Sequence, residues 1–259
     1  MASRYAHIID EVYREAGFFA DAYENDRKRF AFSLQLLDER HLIRGKRVLD
    51  LGSGVGIFAL ALSKLGAEVS GLDKFIFPHS IDSPYKVKDF ALLKKIWNMN
   101  GVQIIEGDLL KALPFSDCAF DVVNCDATIE HLPHSPQHLF TEVKRVLRPN
   151  GVFLVTTPNF ANLLRRIRFL FGKSPQWDIR DYFDRGERFT GHRREFTVSE
   201  LCTMISLAGF TVLNWHTKNS FLNWRRIFHP QKWRAHWCAV FSLPFPLMRE
   251  VMFVLAQKL

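Results

Sequence analysis

A group of two aspartates and three glycines early in the chain has the spacing of a small-ligand site. Asp50 lies in an apolar run, residues 48–51, that predicts a buried strand. The glycines follow at every second position, as Gly52, Gly54 and Gly56. Because glycine has no Cβ and tolerates positive φ, such a segment turns tightly and lets a ligand approach the backbone.

The residues after the glycines complete a recognisable unit. An apolar helix is predicted over residues 57–65, and a second strand over residues 67–72 ends at Asp73. A strand, a glycine turn, a helix and a strand with a terminal acid bind an adenosine-bearing cofactor at the carboxyl ends of parallel strands. We therefore expect this edge of the sheet to hold a cofactor.

The charge beside the turn favours one kind of cofactor. The dinucleotide fingerprint is G-x-G-x-x-G, whereas this chain has G-x-G-x-G with Asp50 two residues before it. A carboxylate at that place repels a pyrophosphate but suits an ammonium group, and S-adenosylmethionine carries an ammonium and a sulfonium without any phosphate. The sequence predicts S-adenosylmethionine, held by Asp50, Gly52, Ser53, Gly54, Gly56, Asp73 and Lys74.

The stretch VLDLGSGVGIFALALSKLGAEVSGLD resembles the first motif of class I S-adenosylmethionine-dependent methyltransferases. Four further similar stretches follow in the same order: IIEGDLLKALPF, FDVVNCDATIEHL, VKRVLRPNGVFLVTTPN and GHRREFTVSELCTMISLAGF. Together they cover most of residues 47–215 and are most similar to a branch with ubiquinone-biosynthesis-type and sugar- or polysaccharide-modifying enzymes. The resemblance implies an adenine-binding role for Asp108, with Leu109 packed on the ring.

The alternation of strands and helices predicts an α/β protein with a parallel sheet covered on both faces. The resemblance adds that the sheet is Rossmann-like and seven-stranded, mostly parallel with an antiparallel last strand. Residues 1–44 are predicted to form a helical cap, and residues 45–259 the methyltransferase domain. The helices of the cap pack against the edge of the sheet or, as the resemblance implies, close over the ligands. In the second case Tyr5, Tyr13 and Tyr23 are candidates for contacting the ligands.

Methyl transfer from a sulfonium is an in-line displacement, so the protein must align the acceptor and remove its proton if it is a hydroxyl. His131, just beyond the fourth strand, is the first candidate base because its ordinary pKa is near neutral. His192 is the second, and Arg193 beside it could orient an anionic substrate. Asp126 is a candidate base or ligand of substrate or cofactor, and Glu130 a substrate ligand. No metal site is predicted.

The chain has 259 residues, 47% of them hydrophobic, which is enough for one full α/β core, and its formal net charge is +8. Its four cysteines form no C-x-x-C pair, which favours a reducing compartment. The amino terminus lacks the apolar segment of a secretory signal, and no run approaches the roughly 20 apolar residues of a spanning helix. We expect a cytoplasmic protein, in contact with the inner face of a membrane or free of it.

Residues 218–249 form a basic, aromatic insertion without an acidic residue, containing Trp224, Trp233 and Trp237. Three alternatives are open: a helical subdomain packed on the sheet edge, a peripheral membrane contact, or a surface for single-stranded nucleic acid. The sequence thus predicts methyl transfer to a small-molecule acceptor, with oxygen of a lipid-linked, quinone-like or sugar-containing compound favoured. An RNA methyltransferase, less favoured, and a non-catalytic scaffold are the alternatives, and no oligomeric state is predicted.

Overall fold

One seven-stranded sheet organises the chain. The computed structural model describes residues 4–17, 24–75, 90–176, 178–186, 189–220 and 233–259. The strands are β1 (Arg47–Leu51), β2 (Glu68–Asp73), β3 (Val102–Glu106), β4 (Phe120–Asp126), β5 (Leu147–Pro158), β6 (Phe210–Lys218) and β7 (Val251–Lys258). Their order is β3-β2-β1-β4-β5-β7-β6, and β7 runs in the opposite direction to the other six strands. The predicted fold class is confirmed.

Helices cover both faces of this sheet. In the described part of the chain they are α1 (Arg4–Glu15), α2 (Glu24–Asp38), α3 (Ile57–Lys64), α4 (Phe90–Met99), α5 (Gln137–Val146), α6 (Leu163–Leu170), α7 (Ile179–Arg185), α8 (Val198–Leu207) and α9 (Trp233–Phe241). A short 3₁₀ turn, Ile129–His131, follows β4, and another, Pro246–Met248, precedes β7. Among the described residues, no helix combines the length and apolar character needed to cross a membrane.

Side chains of the strands alternate between two cores, one on each face. In β7, Phe253 and Leu255 belong to the core under α1 to α4, whereas Met252 and Val254 belong to the core under α5 and α8. Because both faces are covered, inner strands contain runs of consecutive apolar residues, such as residues 152–155 of β5 and 251–256 of β7. This leaves the carboxyl ends of β1 to β4 as the place where polar side chains collect.

The amino-terminal helices are part of the first core. Ile9 of α1 and Leu34 of α2 are completely buried there, beside α3. Tyr13 is also buried in this core, and the Tyr5 hydroxyl donates to the Asp38 carboxylate at 2.8 Å. Tyr23 lies outside the described residues. The division into a cap of residues 1–44 and a domain of residues 45–259 stays a prediction.

Several elements extend beyond their predicted bounds. The sequence predicts β6 over residues 210–215 and β7 over residues 251–256, but the two pair antiparallel along residues 210–218 and 251–258. The cause is the partner strand: the antiparallel ladder between β6 and β7 adds hydrogen bonds at alternate residue pairs, and this pairing extends both strands whatever the side chains. The stretch 172–191, predicted to be a polar loop, contains α7 after the capping residue Asp178.

The sequence T-V-S-E at residues 197–200 predicts a capping box, and the structure contains it at the start of α8, where it offers a test of the fold. The Glu200 amide donates to Thr197 Oγ1 at 3.3 Å, and the Thr197 amide donates to Glu200 Oε2 at 2.8 Å. We expect Thr197→Ala to lower the free energy of unfolding by about 1 kcal/mol, because a helix amide loses its acceptor. Urea unfolding measures this. In the control, Thr203→Ala at an exposed position of the same helix, the loss should be absent, since alanine is the better helix former.

Candidate active site

A buried carboxylate lies where β1 meets β4. Asp50 is 2% exposed, and its Oδ1 accepts a hydrogen bond from Asn124 Nδ2 on β4 at 2.7 Å. Its other oxygen, Oδ2, has no hydrogen-bond partner among the described residues. Burial raises the pKa of Asp50 to about 7, helped by the nearby carboxylates of Asp126 and Asp73 and opposed by the Asn124 hydrogen bond. A cation placed against Oδ2 would relieve this penalty.

The glycine turn exposes bare backbone to a cavity. Gly52 and Gly54 adopt φ of +71° and +54°, a conformation that other residues rarely take. A Cβ on Gly52 would lie 2.2 Å from Thr128 Oγ1, so this glycine lets two loops pack closely. A Cβ on Gly54 would meet nothing within 4 Å and would occupy the cavity instead. The turn is held by the Gly54 amide, which donates to Asp73 Oδ2 at 2.8 Å.

The ends of β2 and β3 form the wall next to the turn. Asp73 also accepts from the Phe75 amide at 2.6 Å, and burial raises its pKa. Lys74 Nζ pairs with Asp108 Oδ2 at 2.9 Å, and this contact holds the pKa of Asp108 below its usual range. Leu109 follows and contributes an apolar surface to the same wall.

The end of β4 carries an ion pair that the sequence did not reveal. Arg29 of α2 donates through Nε to Asp126 Oδ2 at 2.6 Å and pairs with Asp26 at 3.0 Å. Thr156 donates to the other oxygen of Asp126. Burial raises the pKa of Asp126, and the Arg29 guanidinium opposes that rise. The cap therefore reaches the cavity through Asp26, Arg29 and Phe30, and neither Tyr5 nor Tyr13 is among the described lining residues.

A carboxylate and two imidazoles converge beyond β4. Glu130 is fully buried, and its Oε2 accepts from Thr157 Oγ1 at 3.0 Å while Oε1 has no hydrogen-bond partner in the described chain. The rings of His131 and His192 are 4.8 Å apart between centroids and nearly perpendicular. The ligand atoms of the three residues lie within 4.8 Å of one another, a donor set that could hold a divalent cation. The sequence predicted no metal site, since His192 is remote in the chain.

The hydrogen bonds of the two histidines assign their tautomers. His131 Nδ1 lies 2.9 Å from the carbonyl oxygen of Thr190, so Nδ1 carries the proton and Nε2 is the basic atom. His192 Nδ1 contacts the Glu195 carboxylate in the same way. Burial lowers the pKa of both histidines, and Arg29 adds to the effect. Both rings are therefore neutral near pH 7.

Glu195 is shared between the site and α6. It is 6% exposed and accepts two hydrogen bonds from the Arg165 guanidinium, one of them from Nη2 at 2.6 Å. Because Arg165 neutralises this carboxylate, Glu195 offers His192 an acceptor without a strong negative field. Arg193, predicted as a substrate ligand, is exposed at the cavity and donates to the Phe189 carbonyl at 3.1 Å.

These groups surround one cavity of about 830 Å³. That is near the upper end of small-ligand pockets, about 300–1,000 Å³, and leaves room for a second molecule beside a cofactor. Apart from the candidate tyrosines of the cap, every predicted site residue lines it except Gly56. A Cβ on Gly56 would lie 2.5 Å from Trp97 Nε1, so this glycine lets the indole pack closely. Lining residues that the sequence did not single out include Asp26, Arg29, Phe30, Thr128, Phe189 and Val251.

The residues present fit S-adenosylmethionine. Asp50 Oδ2 is an orphaned buried acceptor for an ammonium, and Gly54 leaves space that a Cβ would fill. Among the described lining residues around the turn, Asp50 and Asp73 are acids, and the one cation, Lys74, is paired with Asp108. A sulfonium cofactor is therefore suited to this end of the cavity, and a pyrophosphate is not.

Comparison with known proteins defines the class. A family model for a methyltransferase domain matches residues 23–214, well over half of the chain. The fold is also that of a chain from the complex between the Haloferax volcanii Trm112 methyltransferase activator and a proposed methyltransferase, with a TM-score of 0.60 at 15% identity over 100% of this chain and 99% of the other. The chain belongs to the class I S-adenosylmethionine-dependent methyltransferases and uses S-adenosylmethionine as its cofactor.

Two curated relatives are similar to this chain over part of their length. The ubiquinone biosynthesis O-methyltransferase of Pseudomonas syringae pv. tomato is 32% identical over 123 residues, 48% of this chain and 49% of that protein. The enzyme of the same name from Neisseria meningitidis serogroup C is 29% identical over 158 residues, 61% of each. The chain thus matches only half to three-fifths of these relatives' own length.

The raised pKa of Asp50 predicts a pH-dependent affinity for the cofactor. An ammonium binds the ionised carboxylate, so protons compete with the cofactor below pH 7. We expect the Kd for S-adenosylmethionine to fall as pH rises from 5.5 to 7, by up to about tenfold per unit, and then to level off. Calorimetry in Asp50→Asn should show weak binding whose Kd does not fall as pH rises. If Asp50→Asn keeps the fall in Kd, or Asp108→Asn abolishes it, the assignment of the pH dependence to Asp50 is wrong.

Gly54 can be tested against a matched glycine. Gly54 and Gly101 have φ of +54° and +65°, and a Cβ on either meets nothing within 4 Å. Gly54→Ala and Gly101→Ala should each lower the free energy of unfolding by about 1–2 kcal/mol, the cost of a left-handed alanine. Gly54→Ala alone should also weaken cofactor binding, because its methyl group enters the cavity. Equal affinities in the two variants would contradict the placement of the cofactor at this turn.

Proposed function

We propose that this enzyme transfers a methyl group to a hydroxyl oxygen of a small, largely apolar acceptor. The observation that carries the proposal is the pair of neutral imidazoles, each oriented through Nδ1, in a cavity with apolar walls. Bound S-adenosylmethionine supplies an electrophilic methyl group on a positively charged sulfur. A hydroxyl acceptor must lose its proton as it attacks, and a neutral imidazole can take that proton.

The order of the strands supports separate places for cofactor and acceptor. Asp50, Asp73 and Asp108 lie at the ends of β1, β2 and β3, on one side of the cavity. His131 follows β4, and His192 comes from the segment between α7 and α8. We assign the first side to the cofactor and the second to the acceptor, so that the transferred group lies between them.

We propose roles for the cofactor side from its contacts. Asp50 binds the ammonium through Oδ2, and the backbone of Gly52, Ser53 and Gly54 lies against the cofactor. Asp73, Lys74, Asp108 and Leu109 bind the adenosine part. Asp126 holds Arg29, and this ion pair occupies the carboxylate, so Asp126 positions the cap rather than acting as a base.

On the acceptor side His131 is the proposed general base. Its Nδ1–H is held by a backbone carbonyl, which fixes Nε2 as the acceptor atom. His192 and Arg193 position the acceptor. Glu130 also faces the cavity, and its carbonyl oxygen accepts from the Arg193 amide at 2.7 Å, so it ties the two histidine-bearing segments together.

The acceptor class follows from the walls and the relatives. Phe30, Leu132, Pro133 and Phe189 offer apolar contact, which suits a quinone-like ring or the isoprenoid end of a lipid-linked compound. The relatives named above are O-methyltransferases of ubiquinone biosynthesis. We favour a lipid-linked or quinone-like acceptor over a sugar, and a protein that works at a membrane surface through the predicted 218–249 contact.

A labelled-methyl screen tests the proposal. Purified protein is incubated with methyl-labelled S-adenosylmethionine and cell lipid, quinol, glycan or RNA fractions. We expect label in the lipid or quinol fraction, released by conditions that cleave aryl methyl ethers. Label confined to RNA, with binding that weakens steeply as salt rises, would replace this function with nucleic-acid methylation.

The general base can be tested by substituting His131. Asparagine places its amide near the Nδ1 position, so His131→Asn keeps the hydrogen bond to Thr190 but removes the basic nitrogen. We expect kcat with the acceptor from the screen to fall about 10²–10⁴-fold with an unchanged Kd for S-adenosylmethionine. The control is His134→Asn, an exposed histidine of the same segment outside the described cavity lining.

The pH profile separates a base from a structural residue. Because burial lowers the pKa of His131, wild-type kcat should rise with pH and level off with a midpoint below 6.5. The protonated imidazole present below that pH cannot accept the proton. His131→Asn should lose this rise. An unchanged profile in the variant would assign proton removal to another group.

A further inference from the structure

α6 carries an apolar stripe that does not face a core. With about 3.6 residues per turn, Leu163, Ile167 and Leu170 lie along one line of the helix. In a globular protein such a stripe normally packs inward. Here Leu170 is 80% exposed and Phe171, at the end of the helix, is 73% exposed. The stripe therefore points increasingly toward solvent along the helix.

The elements around α6 expose further large apolar side chains. α6 packs beside α9, and the segment that follows α9 leads into β7. We call the outer side of residues 163–171 and 233–247 the α6–α9 surface. Its most exposed apolar residues are Phe169 (72%), Leu170 (80%), Phe171 (73%), Phe241 (62%), Phe245 (54%) and Leu247 (52%). Single exposed apolar residues are common, but a group of this size marks an interaction surface.

The charges of the α6–α9 surface have one sign. Residues 163–176 and 233–249 contain no aspartate or glutamate. Arg166 and Arg168 fall on either side of the apolar stripe of α6, and Lys173 follows the helix. Arg234 lies 5.3 Å from the ring of Trp233. Cations that flank apolar and aromatic side chains are the pattern of a helix lying in the headgroup region of a bilayer.

The inner side of α6 is fixed to the acceptor side of the cavity. Asn162 caps the helix by accepting from the Arg165 amide at 3.1 Å. Arg165 then binds Glu195, which also accepts from His192. The Arg165–Glu195 ion pair therefore connects α6, and a surface that α6 contacts on its outer side, to His192 at the proposed acceptor position.

We propose that the α6–α9 surface docks on bilayers that contain anionic phospholipids, with the acceptor side of the cavity held next to the membrane. The proposal rests on the proposed function only for the statement that the acceptor comes from the bilayer. The charge pattern argues against a second copy of the chain as the occupant. A two-fold axis on this surface would bring Arg166 and Arg168 of both copies together without an acid to pair with them.

Co-sedimentation with vesicles tests the docking. The full chain is mixed with vesicles of phosphatidylcholine alone or with phosphatidylglycerol added, at low and high salt. We expect binding to the anionic vesicles that weakens as salt rises. Leu170→Glu should lower the partition coefficient at least tenfold, because a carboxylate replaces a membrane-inserted side chain and repels the lipid phosphates.

Met99→Glu is the matched control for this variant. Leu170 and Met99 are each the last residue of a helix, α6 and α4, and they are 80% and 76% exposed. Because α4 packs on β3, at the opposite edge of the sheet from β6, Met99 lies away from the α6–α9 surface, and its substitution should leave vesicle binding near the wild-type value. An equal loss in the two variants would show a general effect of charge and overturn the proposal.

The arginines are tested separately. Arg166→Gln with Arg168→Gln should weaken binding to anionic vesicles by about fivefold per charge and flatten the salt dependence. Absence of wild-type binding to anionic vesicles would overturn the proposal. So would a wild-type dimer, measured by light scattering, that Leu170→Glu dissociates, since the surface would then join two copies.

Two further readouts separate this proposal from the proposed function. Calorimetry with S-adenosylmethionine should give the same Kd in all three variants, which shows that each is folded. If the wild type binds vesicles but labels no lipid or quinol, the acceptor assignment fails and the docking stands. If it labels such an acceptor in detergent but ignores vesicles, the docking fails and the methyl transfer stands.

Discussion

Three carboxylates buried at the ends of β1 and β4 constrain the whole site. Removing a carboxylate from water is costly, and placing several together in a low dielectric raises the cost further. Asp50, Asp126 and Glu130 are each at most 9% exposed, and burial raises the pKa of all three. Each is compensated differently: by an amide of Asn124, by the guanidinium of Arg29 and by the hydroxyl of Thr157. One oxygen of Asp50 is left for a ligand, and a cationic cofactor is what it can best accommodate.

Helices and loops around the sheet supply charged partners to the carboxyl ends of β1 and β4. α2 brings Arg29 to Asp126, so this helix is bound to the central strand by a partly buried ion pair. The segment before α8 brings His192 and Glu195, and Glu195 in turn fixes Arg165 of α6. The same hydrogen-bonded chain thus orients an imidazole inside the cavity and holds a helix whose other side is apolar and exposed. The Glu195 carboxylate thus connects the proposed acceptor side of the cavity to the helix that carries the α6–α9 surface.

The sequence pattern predicted the structure correctly where an element depends on residues that are close together in the chain. The apolar runs of β1 and β4, the glycine turn and the Thr197–Glu200 capping box depend on neighbours in the chain, and the structure contains them. The full length of β6 and β7 depended on their mutual pairing, which no local pattern contains. Arg29 was overlooked because no residue near it in the chain marks it as part of a site. Its partner Asp126 on β4, remote in sequence, places it there.

The sequence by itself predicted the proposed cofactor side of the site, because Asp50, Gly52, Gly54 and Asp73 belong to one strand-turn-helix-strand unit whose geometry is set by backbone sterics. Only the tertiary structure brought together the residues of the proposed acceptor side. His131 and His192 meet because a crossover returns the chain to the same sheet edge, and their tautomers follow from a carbonyl of Thr190 and a carboxylate of Glu195. The exposure of the apolar stripe of α6 was likewise decided by the tertiary structure. An amphipathic helix has the same periodicity whether its apolar side faces a core or the outside, and only the packing of the rest of the chain tells the two apart.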